Sequence, residues 1–256
     1  MRKLTFILLL AVSCFASAQD SLQFFSHTSG AACQSIKYYN GYLITGTGST
    51  LRVYDTSPGI PYPIVWEYWY RSTIMDLLID GDNLYVAANY DGMTKWDISN
   101  PLLPAKVYEI YPDTNCSTQD ISISGDTIFL AQFSKMTAYK DYGTTYSKIT
   151  DFGNTNGFGY ITGADVKNGV IAFSQSFSLF WTNGVYFFST STFQQLSWHH
   201  QTAYYPENVC WGKNNNLLHV MGGTNSVHGY FYSLDASDPS NPQLVYNDTL
   251  TGVPLG

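Results

Sequence analysis

Charged residues are scarce in this sequence, which has 256 residues and only 12% Asp, Glu, Lys and Arg. The positive sign is the scarcer one, because 12 lysines and arginines stand against 19 aspartates and glutamates and give a net charge of −7. A protein that binds nucleic acid needs clustered positive charge to neutralise phosphates. The composition therefore argues against DNA or RNA as a partner.

Long apolar runs and catalytic motifs are also missing. Beyond the first 20 residues no hydrophobic stretch approaches the roughly 18 residues that a membrane-spanning helix needs, so we expect no membrane span. The sequence contains no GxSxG, HExxH, P-loop or strand-linked GxGxxG motif, and we predict no cofactor and no metal. With 45% hydrophobic and 16% aromatic residues, the chain can still bury a sizeable core.

Cysteines are few and widely spaced. After the first 18 residues only Cys33, Cys116 and Cys210 remain, 83 and 94 residues apart. This spacing excludes a disulfide-dense scaffold and a CxxC zinc site. An odd number leaves at least one thiol unpaired within the chain. We interpret the three as small buried apolar residues and leave any pairing among them open.

The beginning of the chain is a predicted targeting segment. Arg2 and Lys3 precede an apolar run and a tract of small residues that ends at position 18. This order is typical of a secretory signal peptide over residues 1–18, followed by a mature domain over residues 19–256 with a net charge of −9. An alternative is a lipoprotein signal with lipid attached at Cys14. In either case we expect a secreted, periplasmic or cell-surface protein.

A turn motif recurs about every 44 residues along the sequence. Each copy places glycine or asparagine beside apolar or aromatic residues, and the four glycines are 40, 44 and 44 residues apart. The copies are Tyr39-Asn40-Gly41-Tyr42, Asp80-Gly81-Asp82, Ser124-Gly125-Asp126, Lys167-Asn168-Gly169-Val170 and a looser Asn214-Asn215-Asn216. Such turns join the two strands of a β-hairpin, because their residues tolerate positive φ. Each unit therefore contains an antiparallel hairpin.

A second motif, a polar turn that begins with an acidic or hydroxyl residue, follows each hairpin. It occurs at Asp55, Asp97, Asp141, Ser189 and Asp235. We predict that Asp55, Asp97 and Asp235 accept backbone N–H bonds in Asx turns and serve stability rather than ligand contact. Two copies extend into the same pattern, D-x-S-[ND]-P-x-x-P, at residues 97–104 and 235–242.

With these turns and the strands that follow them, the chain resembles the LVIVD-repeat family of extracellular β-propellers. The resemblance covers residues 30–250 and is specific in units one, two and five, whereas units three and four lack the proline turn. It implies four-stranded sheets arranged radially around a channel. The repeat period and the absence of helical periodicity also favour a β-propeller.

We therefore predict an all-β fold, a β-propeller of four-stranded antiparallel blades with about five units visible. Five units are fewer than the roughly six to eight blades of commoner propellers, and residues 251–256 look like the start of another unit. We expect an incomplete propeller, truncated at the C-terminus. Pairing of residues 20–35 with residues 243–250 would close a five-bladed ring and contradict this expectation.

Three aspartates occupy the same place in successive repeats, just ahead of an inner strand: Asp76, Asp120 and Asp165. In a propeller these carboxylates project near one mouth of the central channel, where they would suit a cation- or sugar-binding ring. The competing interpretation is that each caps a local turn or satisfies buried backbone in the inner strand. A ring of like charges would also raise the pKa values of its members.

Aromatic residues concentrate in the tracts 65–71 and 198–207. Each tract passes from a strand into a loop, and loops at propeller faces commonly bind ligands. We therefore select Trp69, Tyr204 and Glu207, together with the three channel aspartates, as candidate ligand-binding residues. Filling of the wedges between blades is the alternative role for the aromatic side chains.

The absence of catalytic motifs and the presence of aromatic loops lead to a prediction of function. The leading hypothesis is a non-catalytic binding scaffold that recognises an extracellular protein or carbohydrate through its face loops. The alternative is a carbohydrate-active hydrolase that uses the three aspartates and Glu207 as general acid and base. Two carboxyl groups about 5–10 Å apart in an open pocket would favour the enzyme.

Overall fold

The computed structural model describes residues 32–113, 116–153, 159–176, 183–200, 205–224 and 228–250. Within these ranges the chain forms twenty β-strands and no helix. The described part of the chain accordingly holds no helix that could span a membrane.

Consecutive strands form five four-stranded antiparallel sheets, here called blades one to five. Blade one holds β1 (Cys33–Tyr39), β2 (Tyr42–Thr47), β3 (Thr50–Asp55) and β4 (Ile64–Trp69). Blade two holds β5 (Asp76–Asp80), β6 (Asn83–Ala87), β7 (Met93–Asp97) and β8 (Ala105–Ile110). Blade three holds β9 (Thr118–Ser124), β10 (Thr127–Gln132), β11 (Lys135–Asp141) and β12 (Tyr146–Phe152).

Blade four holds β13 (Tyr160–Lys167), β14 (Val170–Ser176), β15 (Gly184–Ser189) and β16 (Gln195–His200). Blade five holds β17 (Tyr205–Trp211), β18 (Leu217–Thr224), β19 (His228–Asp235) and β20 (Gln243–Leu250). The first strands of consecutive blades contact one another, so they form the inner side of the arrangement. The predicted all-β fold of four-stranded antiparallel blades is confirmed, including the strands of units three and four, where the proline turn is absent.

The predicted hairpin turns join the first two strands of every blade. Asn40 and Gly41, between β1 and β2, both have positive φ, at 47° and 86°. Asn168 and Gly169, between β13 and β14, repeat this conformation at 49° and 78°. Positive φ at both central residues is the geometry of a type I′ turn, which matches the twist of the two strands it joins.

The predicted Asx turns are also present after the third strands. The N–H groups of Ser57, Ser99 and Ser237 donate to the carboxylates of Asp55, Asp97 and Asp235 at 2.8, 2.9 and 3.0 Å. In blade four the hydroxyl of Ser189 takes the place of the carboxylate and accepts the N–H of Thr192 at 3.2 Å. The shared acceptor explains why the turn persists where the proline pattern does not.

Among the residues that the structure describes, the apolar core forms four clusters, one between each pair of consecutive blades. Strand β6 shows the cause, because its side chains alternate between two faces. Leu84 and Val86 pack towards blade one, whereas Tyr85 and Ala87 pack towards blade three. A middle strand therefore needs apolar residues on both faces.

In the described ranges no strand of blade five pairs with a strand of blade one. The sheets that the structure describes thus remain separate, and no shared sheet closes them into a ring. This arrangement is consistent with an incomplete propeller, which stays a prediction.

The interpretation of the cysteines as buried residues is right for Cys116 and wrong for Cys33 and Cys210. All three are free thiols, and the latter two are exposed. On β17, Val209 and Trp211 pack against blade four, so the intervening Cys210 faces away from it. Cys33 begins β1 of blade one, which like blade five has a described neighbour on one side only.

Candidate functional site

Two of the predicted channel aspartates tie consecutive blades together. Asp120 on β9 accepts the backbone N–H of Ala164 in blade four at 2.7 Å. Asp165 on β13 accepts the N–H of Trp211 in blade five, also at 2.7 Å. The other oxygen of each carboxylate accepts the N–H of the residue that follows it. These bonds support the structural interpretation, in which the carboxylates satisfy backbone donors of the inner strands.

Asp76 on β5 lies at the start of this series. Ser35 on β1 donates its hydroxyl to Asp76 at 3.1 Å and accepts the N–H of Leu77 at 3.1 Å, so blades one and two are joined in a similar way. The carboxylate of Asp76 lies near that of Asp120, on the neighbouring inner strand β9. Burial, followed by the charge of Asp76, raises the pKa of Asp120 well above its usual range.

The remaining predicted residues do not join the aspartates in one site. Glu207 is exposed on β17 in blade five, at a bulge in the pairing with β18. Trp69 ends β4 in blade one. Tyr204 lies outside the described residues. The structure therefore places the predicted candidates in at least three separate regions.

Trp69 lines a pocket between blades one and two. The pocket has a volume of about 250 Å³, and its wall includes Trp69, Arg71, Asp91, Lys106, Glu109 and Tyr111. Small-molecule sites typically measure roughly 300–1,000 Å³, so this pocket suits a single small ring or group. Trp69 is 61% exposed, and its side chain lies on the face of β4 opposite Tyr68 and Tyr70, which pack towards blade two.

Lys106 and Glu109 neutralise each other within this pocket. The Lys106 ammonium contacts the Glu109 carboxylate and donates to the Tyr68 hydroxyl at 2.8 Å. Tyr111 donates its hydroxyl to the other oxygen of Glu109 at 2.6 Å. The bonds from Lys106 and Tyr111 lower the pKa of Glu109, so its carboxylate is ionised at neutral pH.

Asp91 fixes the backbone beside Trp69. Its carboxylate accepts the N–H of Arg71 at 2.6 Å and that of Ser72 at 3.1 Å, which ties the loop after β4 to blade two. The loop that carries Asp91 ends at Gly92, with φ of 81°, where a Cβ would lie 2.1 Å from the carbonyl oxygen of Ile110. Only glycine fits there.

Arg71 is exposed and lines the same pocket. Among the described residues its guanidinium takes part in no salt bridge. Its charge does reach Glu109, where it contributes to the lowered pKa. Arg71 and Lys106 together balance the charges of Asp91 and Glu109, so the charged side chains of the pocket sum to zero.

Trp69 was predicted from the sequence, whereas the polar residues around the pocket were not. Glu109 and Tyr111 come from blade two, about 40 residues further along the chain, and only the packing of blades brings them to Trp69. One signal was present in the sequence. Arg71 is one of only three arginines and directly follows the aromatic tract that contains Trp69.

A second cavity, of about 120 Å³, lies between blades four and five. Its cation, Lys167, donates to the carbonyl oxygens of Gly212 and Asn215, both at 2.5 Å. Trp211, which also lines this cavity, donates its indole N–H to the carbonyl of Asp165 at 3.2 Å. Since these polar groups are used within the protein, this cavity is the weaker candidate.

Comparison with known proteins places blade two in a family of repeats. Residues 73–109 match the LVIVD repeat. The match spans β5 to β7 and most of β8, and so covers the blade that supplies Asp91, Lys106 and Glu109 to the pocket. The predicted resemblance to this repeat family is confirmed. No curated protein matches the sequence.

Solved structures share the fold. The Cps50 (Swd1) β-propeller domain of Myceliophteria thermophila is similar with a TM-score of 0.68 and 10% identity, over 88% of this chain and 74% of that one. The computationally designed Ika8 protein gives a TM-score of 0.63 and 12% identity, over 85% of this chain. The designed Ika4 protein gives 0.52 and 10%, over 65% of this chain and 98% of Ika4. The chain spans 61% of the length of Ika8. At these identities the likeness shows the β-propeller fold alone.

Proposed function

We propose that this protein is a non-catalytic binding module that recognises an extracellular carbohydrate or protein through the pocket between blades one and two. The observation that carries the proposal is the open pocket together with Trp69, whose side chain is 61% exposed beside it. Tryptophan and arginine are enriched among the residues that dominate binding energies. The propeller fold and the LVIVD repeat support a scaffold role, but the argument for binding rests on the pocket itself.

Export is part of this proposal. Residues 1–18 have the order of a secretory signal peptide, which leaves residues 19–256 as the mature domain. Mass spectrometry of the purified protein tests it, since a chain that starts at Gln19 supports cleavage and one that starts at a lipidated Cys14 supports anchoring. A mature protein that retains Met1 contradicts export by either signal.

The alternative function, a carbohydrate-active hydrolase, draws on the raised pKa of Asp120 beside Asp76. A general acid needs a raised pKa, but it must also reach its substrate. Asp120 uses both oxygens to accept backbone N–H groups. This use of both oxygens within the protein favours binding over hydrolysis.

A screen of the full-length protein against a glycan array and a panel of extracellular proteins tests the proposal. Each ligand found is then titrated against Trp69→Ala and against a control, Trp198→Ala, which removes a 44% exposed tryptophan from β16 in blade four. We expect Trp69→Ala to weaken binding about tenfold or more and the control to change it less than about twofold. Equal effects of the two variants would contradict the proposal. Turnover of a glycan that Asp120→Asn abolishes would favour the hydrolase.

A further inference from the structure

We propose that the side chains of Asn89, Thr118 and Gln132 bind a water molecule between blades two and three, and that this water holds the loop of residues 88–92 against blade three. The inference follows from three buried polar atoms on neighbouring residues. It concerns the interior of the protein and does not depend on the ligand of the pocket.

The three residues form a row across two blades. Thr118 begins β9 in blade three, where it lies opposite Asn89 in an isolated antiparallel bridge and opposite Gln132 in the pairing with β10. Opposite residues of antiparallel strands direct their side chains to the same face, with Cβ atoms about 4.5–5.5 Å apart. Gln132 shares its face of β10 with Leu130, which packs in the apolar cluster between blades two and three. The row therefore lies in the interface between these blades.

Each member of the row has a buried polar atom without a hydrogen-bond partner among the described residues. These atoms are Asn89 Oδ1, Thr118 Oγ1 and Gln132 Nε2. Thr118 is 0% exposed and Gln132 is 1% exposed. A buried donor or acceptor that stays unsatisfied costs free energy, and most such groups in proteins have a partner. Three of them on directly paired residues indicate one shared partner.

The chemistry of the three atoms identifies the partner as water. The Gln132 oxygen already accepts the Thr137 hydroxyl at 3.0 Å, which leaves the amide NH₂ as a donor. Asn89 Oδ1 only accepts, and the Thr118 hydroxyl can do either. The amide donor would repel a cation, and the Asn89 oxygen would repel an anion. Water both donates and accepts, and a buried water typically makes about three such bonds.

The water adds to a backbone contact between the loop and blade three. The Asn89 carbonyl accepts the N–H of Thr118 at 2.9 Å and that of Gly92, within the loop, at 3.2 Å. These bonds hold the main chain of Asn89, and the water holds its side chain. The same loop carries Asp91, whose carboxylate accepts two backbone N–H groups of the loop after β4. Blade three thus supports from one side a loop that blade one contacts from the other.

A crystal structure of the full-length protein tests the proposal directly. We expect the density of one water about 2.7–3.2 Å from Asn89 Oδ1, Thr118 Oγ1 and Gln132 Nε2. A direct bond between two of these side chains, or the three atoms bound to other protein groups with no water between them, would overturn the proposal.

The melting temperature of Thr118→Val gives a second test with opposite signs for the two outcomes. Valine has nearly the shape of threonine but lacks the hydroxyl. With a bound water the variant loses one hydrogen bond, which should lower the melting temperature by about 2–4 °C. Without a water the variant only removes an unsatisfied buried hydroxyl. An unchanged or raised melting temperature would therefore overturn the proposal.

Tyr232→Phe is the matched control. The Tyr232 hydroxyl is also buried and without a hydrogen-bond partner among the described residues, but it belongs to the apolar cluster between blades four and five. We expect its removal to leave the melting temperature unchanged or to raise it. A decrease equal to that of Thr118→Val would contradict the assignment of the loss to the water.

Hydrogen exchange tests the hold on the loop. The Gly92 N–H donates to the Asn89 carbonyl, so its exchange reports local opening of the loop. Exchange at Gly92 should be about fivefold faster in Thr118→Val than in the parent, the effect of one lost hydrogen bond, and unchanged in Tyr232→Phe. Equal exchange in Thr118→Val and the parent would overturn the role of the water in holding the loop.

Discussion

The interface between blades one and two and the interface between blades two and three join the same kind of sheets in different ways. In the second interface Lys95, whose side chain is only 4% exposed, donates to Asp141 at 2.8 Å and to the carbonyl of Gly143 at 2.9 Å. In the first interface Arg71 lines an open pocket and has no salt bridge among the described residues. A satisfied pair of buried charges thus closes the second interface, whereas the first keeps an open pocket.

Asp141 shows how the second interface is closed. One oxygen accepts the N–H of Gly143 at 2.8 Å, which is the Asx turn of the repeat. The other accepts Lys95 and the Tyr85 hydroxyl from blade two. Burial opposes ionisation, but the bonds from Lys95 and Tyr85 bring the pKa of Asp141 below its usual value. A turn residue of the repeat has thus become part of the interface.

The largest expected effect comes from breaking the second interface. Lys95→Met leaves the Asp141 carboxylate, only 10% exposed, without its cation. Removing one partner of a buried ion pair typically costs about 3–5 kcal/mol, and we expect a loss in this range in urea unfolding. The control is Lys140→Met, which breaks the exposed pair with Asp126 and should cost about 0–1 kcal/mol. Equal losses for the two variants would show that the second interface does not depend on its buried charge.

A smaller effect on stability is expected at the channel, where replacing aspartate by asparagine should act differently at Asp120 and at its neighbour Asp76. Asp120→Asn replaces one of two oxygens that each accept a backbone N–H, so one donor meets an amide NH₂. We expect a loss of about 1–3 kcal/mol, the penalty of an unsatisfied buried donor. Asp76→Asn keeps an acceptor for Ser35 and removes the negative charge beside Asp120, so it should cost less or stabilise. Unfolding at pH 7 measures both, and a larger loss for Asp76→Asn would refute this assignment of the bonds.

The pH dependence of stability gives a related test of the channel pair. The folded pKa of Asp120 is raised, so the folded state holds its proton more tightly than the unfolded state does. The resulting stabilisation is present below the unfolded pKa and is lost as pH rises through the folded pKa. We expect unfolding free energies to show this loss as the pH rises in the parent and less of it in Asp76→Asn, where the charge that helps to raise the pKa of Asp120 is gone. Identical pH profiles would contradict a contribution of Asp76 to the raised pKa of Asp120.

The smallest effect is expected at a turn that belongs to neither interface. The pKa of Asp97 is lowered mainly by the hydrogen bond from the backbone N–H of Ser99 and further by the hydrogen bond from the Ser99 side chain. Ionisation of Asp97 therefore favours the folded state. This stabilisation is present above the unfolded pKa and is lost as pH falls through the folded pKa. Asp97→Ala should slightly lower the melting temperature at pH 7 and match the parent in acid. If the variant melts like the parent but loses ligand binding, the turn belongs to the ligand-binding surface and not to the structural framework.

The residues themselves explain what could be predicted from the sequence. Gly41 and Asp97 act through neighbours within two residues, so their turns, and with them the strands and blades, were predictable from local chemistry. The pocket was only half predictable, because Trp69 stands in an aromatic tract but Glu109 reaches it through packing of the next blade. The pairing of Lys95 with Asp141, 46 residues apart, has no local signal at all.

The central claim is that the pocket between blades one and two binds and the channel aspartates hold the blades together. Its most direct test measures the dissociation constant and the melting temperature of Trp69→Ala and Asp120→Asn side by side, with the ligand found for the parent. We predict that Trp69→Ala, at a 61% exposed position, loses affinity and keeps its melting temperature. Asp120→Asn should lose melting temperature and keep its affinity. The reverse result, with binding lost only in Asp120→Asn, would contradict the account.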